Sequence, residues 1–219
     1  MERVPEPELM EDPAQAQAYA NADFSEPHQA FITHFARLYP EFRSGRVLDL
    51  GCGPADVTIR FARAYPQALV EGLDGSGPML ELARAAVLRA GLGARVALRF
   101  ARLPDPGLAG AGYDAVISNS LLHHVARPLV LWQTVAAAAR AGAPVAVMDL
   151  ARPASVAAAR ALVAQHAGQA PPILQRDFYH SLLAAYRPEE VAAQLRGCGL
   201  ARFQVEIVSD RHWLVWGRV

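Results

Sequence analysis

The sequence predicts a doubly wound α/β fold, in which helices cover both faces of a mainly parallel sheet. Short apolar runs alternate with segments of helical periodicity between residues 46 and 150. Strands separated by helices pair in parallel through right-handed crossovers. Gly51 and Gly53 follow the first run, and Asp74 ends the second. A strand that enters such a turn brings its backbone against a ligand at the carboxyl end of the sheet.

The N-terminal part is predicted to be helical. Residues 1–26 are acidic, contain prolines and are weakly periodic, with one short helix expected around residues 14–22. Phe31, Ile32 and Phe35 recur at helical spacing and predict a second helix over residues 28–39.

The alternating region follows. Ser76 is a typical N-cap, Pro78 fits the first turn, and Gly91 ends the same helix. The strands are predicted at residues 46–50, 68–73, 95–100, 115–118 and 145–150. The helices are predicted at residues 56–64, from Ser76 to Gly91, and at residues 128–140.

Residues 151–187 interrupt the alternation with helical segments at 156–165 and 176–186, joined by a Gly-Gln-Ala-Pro-Pro turn. Because they follow the fifth strand, we expect them to form a cap over the cleft. A helix at 188–196 and an antiparallel pair at 205–208 and 212–216 complete the prediction. We interpret residues 1–219 as a single domain.

Composition excludes several functional classes. Lys+Arg and Asp+Glu both total 21, and a nucleic-acid binder usually carries excess positive charge. Cys52 and Cys198 are far apart, so neither a disulfide framework nor a metal site is predicted. No apolar run approaches a membrane span, and the N-terminus lacks the basic-then-apolar order of a signal peptide. We expect a cytoplasmic protein with no nucleic-acid or membrane partner.

The glycine turn fits NAD, FAD or S-adenosylmethionine. A dinucleotide pyrophosphate prefers three glycines and free backbone N–H groups. Here Pro54 lacks an N–H, the third glycine is absent, and Asp56 places a negative charge where the pyrophosphate would lie. A cofactor with a sulfonium and an amino-acid tail fits better, because Asp49 can face its ammonium group.

Four ordered segments resemble the motifs of class I S-adenosylmethionine-dependent methyltransferases. They are Val-Leu-Asp-Leu-Gly-Cys-Gly-Pro (47–54), Glu-Gly-Leu-Asp-Gly-Ser (71–76), Tyr-Asp-Ala-Val-Ile-Ser (113–118) and Leu-Leu-His-His-Val (121–125). The resemblance covers about residues 43–150. It implies a seven-stranded sheet of order 3-2-1-4-5-7-6 with an antiparallel last strand. It also implies an N-terminal helical lid over residues 1–40, beside the cap insertion at 151–187.

The resemblance also implies cofactor contacts. Gly51 and Gly53 approach the homocysteine part, and Asp74 accepts hydrogen bonds from the ribose hydroxyls. Gly75 and Met79 border the adenine.

Three further contacts follow from the resemblance. Asn119 lies under the methionine moiety, and Tyr19 belongs to the segment that folds over the cofactor. The acidic residue that commonly meets the adenine amino group is missing from residues 100–104, so backbone around Arg102 and Leu103 is expected to substitute.

Candidate catalytic residues end the fourth and fifth strands. His123 and His124 follow strand four, and one of them, taken as His124, is a general base, a substrate ligand or a packing residue. Asp149 ends strand five, where it orients an amine, deprotonates a nucleophile, or caps the helical segment that follows. Tyr179 in the cap offers an aromatic ring to a cation or belongs to the core.

The sequence therefore predicts methyl transfer from S-adenosylmethionine to a small-molecule acceptor by a monomer or homodimer. One alternative uses the cofactor's own amine as nucleophile, in a cyclisation that releases methylthioadenosine. Another is a non-catalytic protein that retains cofactor binding.

Overall fold

The computed structural model describes residues 1–6 and 10–219. Within these residues the sheet has seven strands in the order β3-β2-β1-β4-β5-β7-β6. The predicted fold class is confirmed, including the antiparallel pairing of the last strand. The strands are β1 Ser44–Leu50, β2 Gln67–Asp74, β3 Val96–Phe100, β4 Ala115–Asn119, β5 Pro144–Leu150, β6 Gln204–Ile207 and β7 His212–Arg218.

Helices connect the strands. One-turn 3-10 helices at Pro106–Leu108 and Leu122–His124 precede and follow β4. Among the described residues, no helix has both the length and the apolar content needed to cross a bilayer. The α-helices are α1 Pro13–Asn21, α2 Ser25–Leu38, α3 Asp56–Ala64, α4 Gly77–Arg89, α5 Leu129–Ala138, α6 Val156–Ala167, α7 Pro172–Ala184 and α8 Pro188–Gly197.

The strand order creates a crevice at the centre of the sheet. β1 pairs in parallel with both β2 and β4, so the chain adds strands on opposite sides of β1. Connections that leave two neighbouring strands in opposite directions open a crevice beyond their carboxyl ends. The last residues of these strands, Leu50 and Asn119, lie at this edge.

Both faces of the sheet are buried under helices. α2, α3 and α4 cover one face through a cluster that includes Phe31, Phe35 and Phe61. α5 and α8 cover the other through a cluster that includes Trp132 and Leu195. Burial on both faces explains why β4 and β5 are apolar runs without alternation.

Two helices begin three or four residues before their predicted bounds. α2 begins at Ser25 instead of residue 28, because the Asp23 carboxylate accepts a hydrogen bond from Ser25 N at 2.9 Å. α7 begins at Pro172, since proline suits the first turn of a helix. It ends at Ala184 instead of residue 186, because Tyr186 instead forms a parallel bridge with Ala151.

The N-terminal segment is fastened to α7. Val4 N donates to Leu183 O at 3.0 Å, and the Arg3 guanidinium lies 4.1 Å from the centre of the Tyr186 ring. Further along, Gln15 Nε2 of α1 donates to Asp177 Oδ2 of α7 at 2.8 Å, and both residues are buried. The residues predicted as lid and cap are therefore in direct contact.

We expect Tyr39→Phe to destabilise the protein by about 1–3 kcal/mol, because the buried hydroxyl joins the end of α2 to two strands. Tyr39 Oη lies 2.7 Å from Val145 O and 2.8 Å from Gly217 O, can donate its one hydrogen to either carbonyl, and accepts from Gly217 N at 2.9 Å. Urea unfolding measures the change. Tyr179→Phe is the control, since its hydroxyl has no hydrogen bond among the described residues. Equal stability of the Tyr39 variant and the wild type would contradict this role.

Candidate active site

The turn after β1 is held in a left-handed conformation. Gly51 and Gly53 have φ angles of +72° and +52°. The backbone N–H groups of Gly51 and Cys52 donate to Leu73 O at 2.8 and 2.9 Å. A Cβ on Gly51 would lie 2.8 Å from Leu121 Cδ1, whereas one on Gly53 would meet no atom within 4 Å. Gly51 is thus needed for packing, and Gly53 leaves its backbone open to the crevice.

Asp74 fastens this turn to β2. Its Oδ2 accepts from Gly53 N and its Oδ1 accepts from Ser76 N, both at 2.8 Å. Burial raises the pKa of Asp74 above its usual value, and these two backbone hydrogen bonds oppose the rise. One carboxylate therefore positions both the glycine turn and the start of α4.

Asp49 is a buried carboxyl group without a cationic partner in the described part of the chain. It is 1% exposed, and Thr58 Oγ1 donates to its Oδ2 at 2.5 Å. Burial raises the pKa of Asp49 to about 7, and the nearby Asp74 charge adds to the rise. A cation bound beside it would favour its ionised form.

A cavity of about 580 Å³ opens at the carboxyl ends of β1, β2 and β4. Its volume is typical of a small-molecule site. Most of the predicted cofactor contacts line it: Tyr19, Asp49, Gly51, Gly53, Asp74, Met79 and Asn119.

The structure does not bring three predicted cofactor residues into the lining of this cavity. Gly75 lies beside it, between Asp74 and Ser76, which both line it. The Arg102 side chain turns away to pair with Glu11. Leu103 packs against the core cluster under α5 and α8. These contacts remain predictions from the resemblance, and the side chains of Arg102 and Leu103 contribute nothing to the cavity.

The fourth and fifth strands bring a histidine and a carboxylate together. His123 Nδ1 lies 2.5 Å from Asp149 Oδ1, and His123 N donates to Asp149 Oδ2 at 3.2 Å. Both side chains are at least 97% buried. Burial alone raises the pKa of Asp149, but the adjacent His123 lowers it below its usual value. Asp149 is therefore an anion that accepts a hydrogen bond from the Nδ1–H group of His123.

His124, the histidine selected from the sequence, does not contact Asp149 by hydrogen bond. Its Nδ1 lies 3.7 Å from Glu6 Oε2 and has no hydrogen-bond partner in the part of the chain that is described. Burial, together with the neighbouring His123, lowers the pKa of His124 to about 3. Its ring packs against His123 with centroids 4.0 Å apart.

Comparison with known proteins finds relatives for the part of the chain that contains the glycine turn. Residues 47–144 match the family described as "Methyltransferase domain". A trans-aconitate 2-methyltransferase of Mycobacterium ulcerans is 40% identical over 116 residues, which cover 48% of this chain and 41% of that protein. One of Rhodococcus jostii is 36% identical over 104 residues, covering 44% and 37%. The chain thus spans about two fifths of the length of these relatives.

Residues 47–144 are thus similar in sequence to a methyltransferase domain.

Solved structures share the fold of this chain at low sequence identity. A SAM-dependent methyltransferase from Aquifex aeolicus has a TM-score of 0.67 and 17% identity, covering 94% of this chain and 97% of that one. The plantazolicin methyltransferase BpumL, solved with SAH, has a TM-score of 0.69 and 11% identity, covering 93% and 89%. The similarity extends beyond residues 47–144 and concerns the fold alone.

One face of α7 completes the cavity, and it was not predicted from the sequence. Leu174, Asp177, Phe178 and Ser181 all line it. Their spacing of three and four residues is the helical signal that could have revealed them. Tyr179, the predicted aromatic residue of the cap, falls off this face and packs beside Leu182 and Ala185. The structure therefore places Tyr179 outside the lining of the cavity.

Glu6, His123 and His124 offer three potential metal-ligand atoms within 4.8 Å of one another, within the described residues. Two of the three are already engaged by the protein. His123 Nδ1 is bonded to Asp149, and Glu6 Oε2 accepts from Ser181 Oγ at 2.9 Å. These contacts engage one nitrogen of His123 and one oxygen of Glu6.

The raised pKa of Asp49 predicts how the stability of the protein depends on pH. A carboxyl group with a folded-state pKa above its unfolded value stabilises the protein at low pH, and the contribution is lost as the pH rises. The window runs from the ordinary value of 3.8 to about 7. We expect wild type to lose stability relative to Asp49→Asn across it, by at most about 1.4 kcal/mol per pH unit.

Urea unfolding at several pH values measures this difference. Asp105→Asn is the control, because Arg99 holds the pKa of Asp105 below its usual value and so moves its contribution below this window. Parallel pH profiles for wild type and Asp49→Asn would contradict the assignment.

Proposed function

We propose that the chain is a methyltransferase that transfers a methyl group from S-adenosylmethionine to a small-molecule acceptor. The observation that carries the proposal is the glycine turn with Asp74, which lies inside the family match and opens onto the cavity. The relatives that match this part of the chain are themselves methyltransferases by name.

The residues present fit this cofactor. Because a Cβ on Gly53 would meet no atom within 4 Å, the Gly53 backbone is accessible to the amino-acid part of S-adenosylmethionine. Asn119 Oδ1 is buried and has no hydrogen-bond partner among the described residues, so it is free to accept from an ammonium group. Asp49 and Asp74 contribute negative charge beside a cation. When bound, S-adenosylmethionine supplies a methyl group attached to a positively charged sulfur.

The same site disfavours a dinucleotide. Asp56 begins α3, and its carboxylate bonds to His28 Nδ1 at 2.7 Å and to Arg60 Nε at 2.8 Å. Although burial raises the pKa of Asp56, these two partners lower it to about 2. A fixed anion at the start of this helix repels a pyrophosphate, which would otherwise bind there.

Methyl transfer needs alignment more than covalent help from the protein. The N-terminal segment closes one side of the cavity: Tyr19 and Phe24 line it with their rings 4.8 Å apart, and Ser76 Oγ donates to Met10 O at 2.7 Å. α7 closes another side. These walls exclude water and restrict how the reactants approach each other.

A small acceptor fits the size of the cavity and the balanced net charge. The relatives are named for trans-aconitate, but their sequence similarity to this chain covers less than half of either protein. The acceptor must therefore be inferred from the residues of this chain and not from the names of its relatives.

Incubation with cofactor alone tests the intramolecular alternative, which would release methylthioadenosine without an acceptor.

We expect Asp74→Ala to weaken S-adenosylmethionine binding about 10- to 100-fold, the loss associated with one or two hydrogen bonds to a charged group. Isothermal titration calorimetry measures the affinity. Asp105→Ala is the matched control, because Asp105 also accepts from a backbone N–H two residues on, Gly107 N at 2.9 Å, but lies outside the cavity lining. Unchanged affinity in a folded Asp74→Ala protein would remove the central assignment.

A further inference from the structure

We propose that His123 is the general base of the reaction and that the acceptor is a small, mainly apolar alcohol or phenol. This inference rests on the proposed function. It assigns a catalytic role to a histidine other than the one selected from the sequence, and it gives the acceptor a chemical class.

The His123 ring has one nitrogen free for a ligand. Asp149 holds Nδ1 in its protonated form, so Nε2 carries the lone pair. The ring lines the cavity, and Nε2 is not among the buried unpartnered atoms of the described residues. A carboxylate that orients a histidine also stabilises the imidazolium that forms when the histidine takes up a proton.

The other histidines of the cavity are less suited to accept this proton. The pKa values of His124 and His212 are lowered to about 3 and about 4 by burial and neighbouring positive charge. The Asp56 carboxylate that pairs with His28 also pairs with Arg60, and the Asp56 side chain is 43% exposed. His166 pairs with the exposed Asp210. Of the carboxylates that pair with these histidines, only Asp149, beside His123, is fully buried.

Charged groups face the His123–Asp149 pair from several elements. Glu6 lies near it, and the Arg3 guanidinium donates to His123 O at 3.0 Å from the N-terminal segment. His124 stacks on the ring within the same 3-10 helix. The Asp149 charge in turn adds to the raised pKa values of Tyr19 of α1 and of Tyr186, and it opposes the lowered pKa of His212. Arg3 is the permanent cation of this group, and its hydrogen bond is to the backbone.

The wall beside His123 selects the acceptor. Leu150, Leu174 and Phe178 make it apolar. Both carboxylate oxygens of Asp177 are engaged, Oδ2 by Gln15 and Oδ1 by Arg176, so Asp177 offers no free charge to an ammonium group. A carboxylate acceptor needs no base and would be repelled by the Asp149 anion. A neutral hydroxyl fits an apolar wall and uses the base.

The proposed methyl transfer conserves atoms and charge. The acceptor O–H proton passes to His123 Nε2 while a bond forms between the acceptor oxygen and the methyl carbon. The bond between that carbon and sulfur breaks, and its electron pair returns to sulfur, so the positive charge moves to the imidazolium. The imidazolium then loses its proton to water. Asp149 is a positioning residue, because it acts only through His123.

The test compares phenol with 4-nitrophenol at mildly alkaline pH, where the nitro group keeps the second acceptor ionised. We expect His123→Gln to lower turnover of phenol about 10²- to 10⁴-fold, the usual contribution of a general base. Turnover of 4-nitrophenol, which needs no base, should fall less than about tenfold. His28→Gln is the matched control, since it removes a similar histidine–carboxylate pair and should change both rates by the same factor.

A second measurement does not depend on turnover. ¹⁵N NMR of the histidine rings should show Nδ1 protonated and Nε2 unprotonated in wild-type His123, and Asp149→Asn should abolish this preference. S-adenosylmethionine affinity is measured in every variant. Weak binding by wild type would refute the proposed function itself. With binding intact, equal losses for both phenols, preferred methylation of benzoate, or no turnover of either phenol would overturn this inference.

Discussion

The hydrogen bonds between Asp74 and the turn after β1 hold the site together. The carboxylate accepts from Gly53 on one strand end and from Ser76 at the start of the next helix. Leu73 O adds two more bonds to the same turn. This clamp fixes a left-handed backbone that is costly for most residues, and it keeps an anionic oxygen pair at the cavity surface. The orientation of α3 and α4 relative to the cavity depends on it.

The carboxyl groups of Asp49, Asp74 and Asp149, at the ends of β1, β2 and β5, differ because their partners differ. Asp49 has only a hydroxyl donor, and burial raises its pKa to about 7. Asp74 has two backbone donors, which oppose a similar rise. Asp149 has a histidine within 2.5 Å and stays ionised. The site thus combines a group that responds to a bound cation, a group that holds the backbone, and a group that orients a base.

The features that could be predicted from the sequence are those that depend on local periodicity and turn chemistry. Gly51, Asp74 and Asn119 lie in or beside motifs in which neighbouring residues form one structural unit, and the strand order was implied by the resemblance that these motifs carry. The choice between His123 and His124 could not be made this way. It depends on how the one-turn helix Leu122–His124 rotates each ring relative to Asp149, 25 residues further along. The rotation of α7, which excludes Tyr179 and admits Ser181, is also set by tertiary packing.

The buried contact between Gln15 and Asp177 links two walls of the cavity that belong to distant parts of the chain. One wall covers the glycine-turn side and the other covers the side near His123. Separating either wall from the sheet requires this contact to break or the other wall to follow. Under the proposed function, the demethylated donor and the methylated product would therefore leave through one opening event. The slow step of a catalytic cycle built on this chain would be the release of both products through that event, followed by reclosure over a fresh pair of reactants.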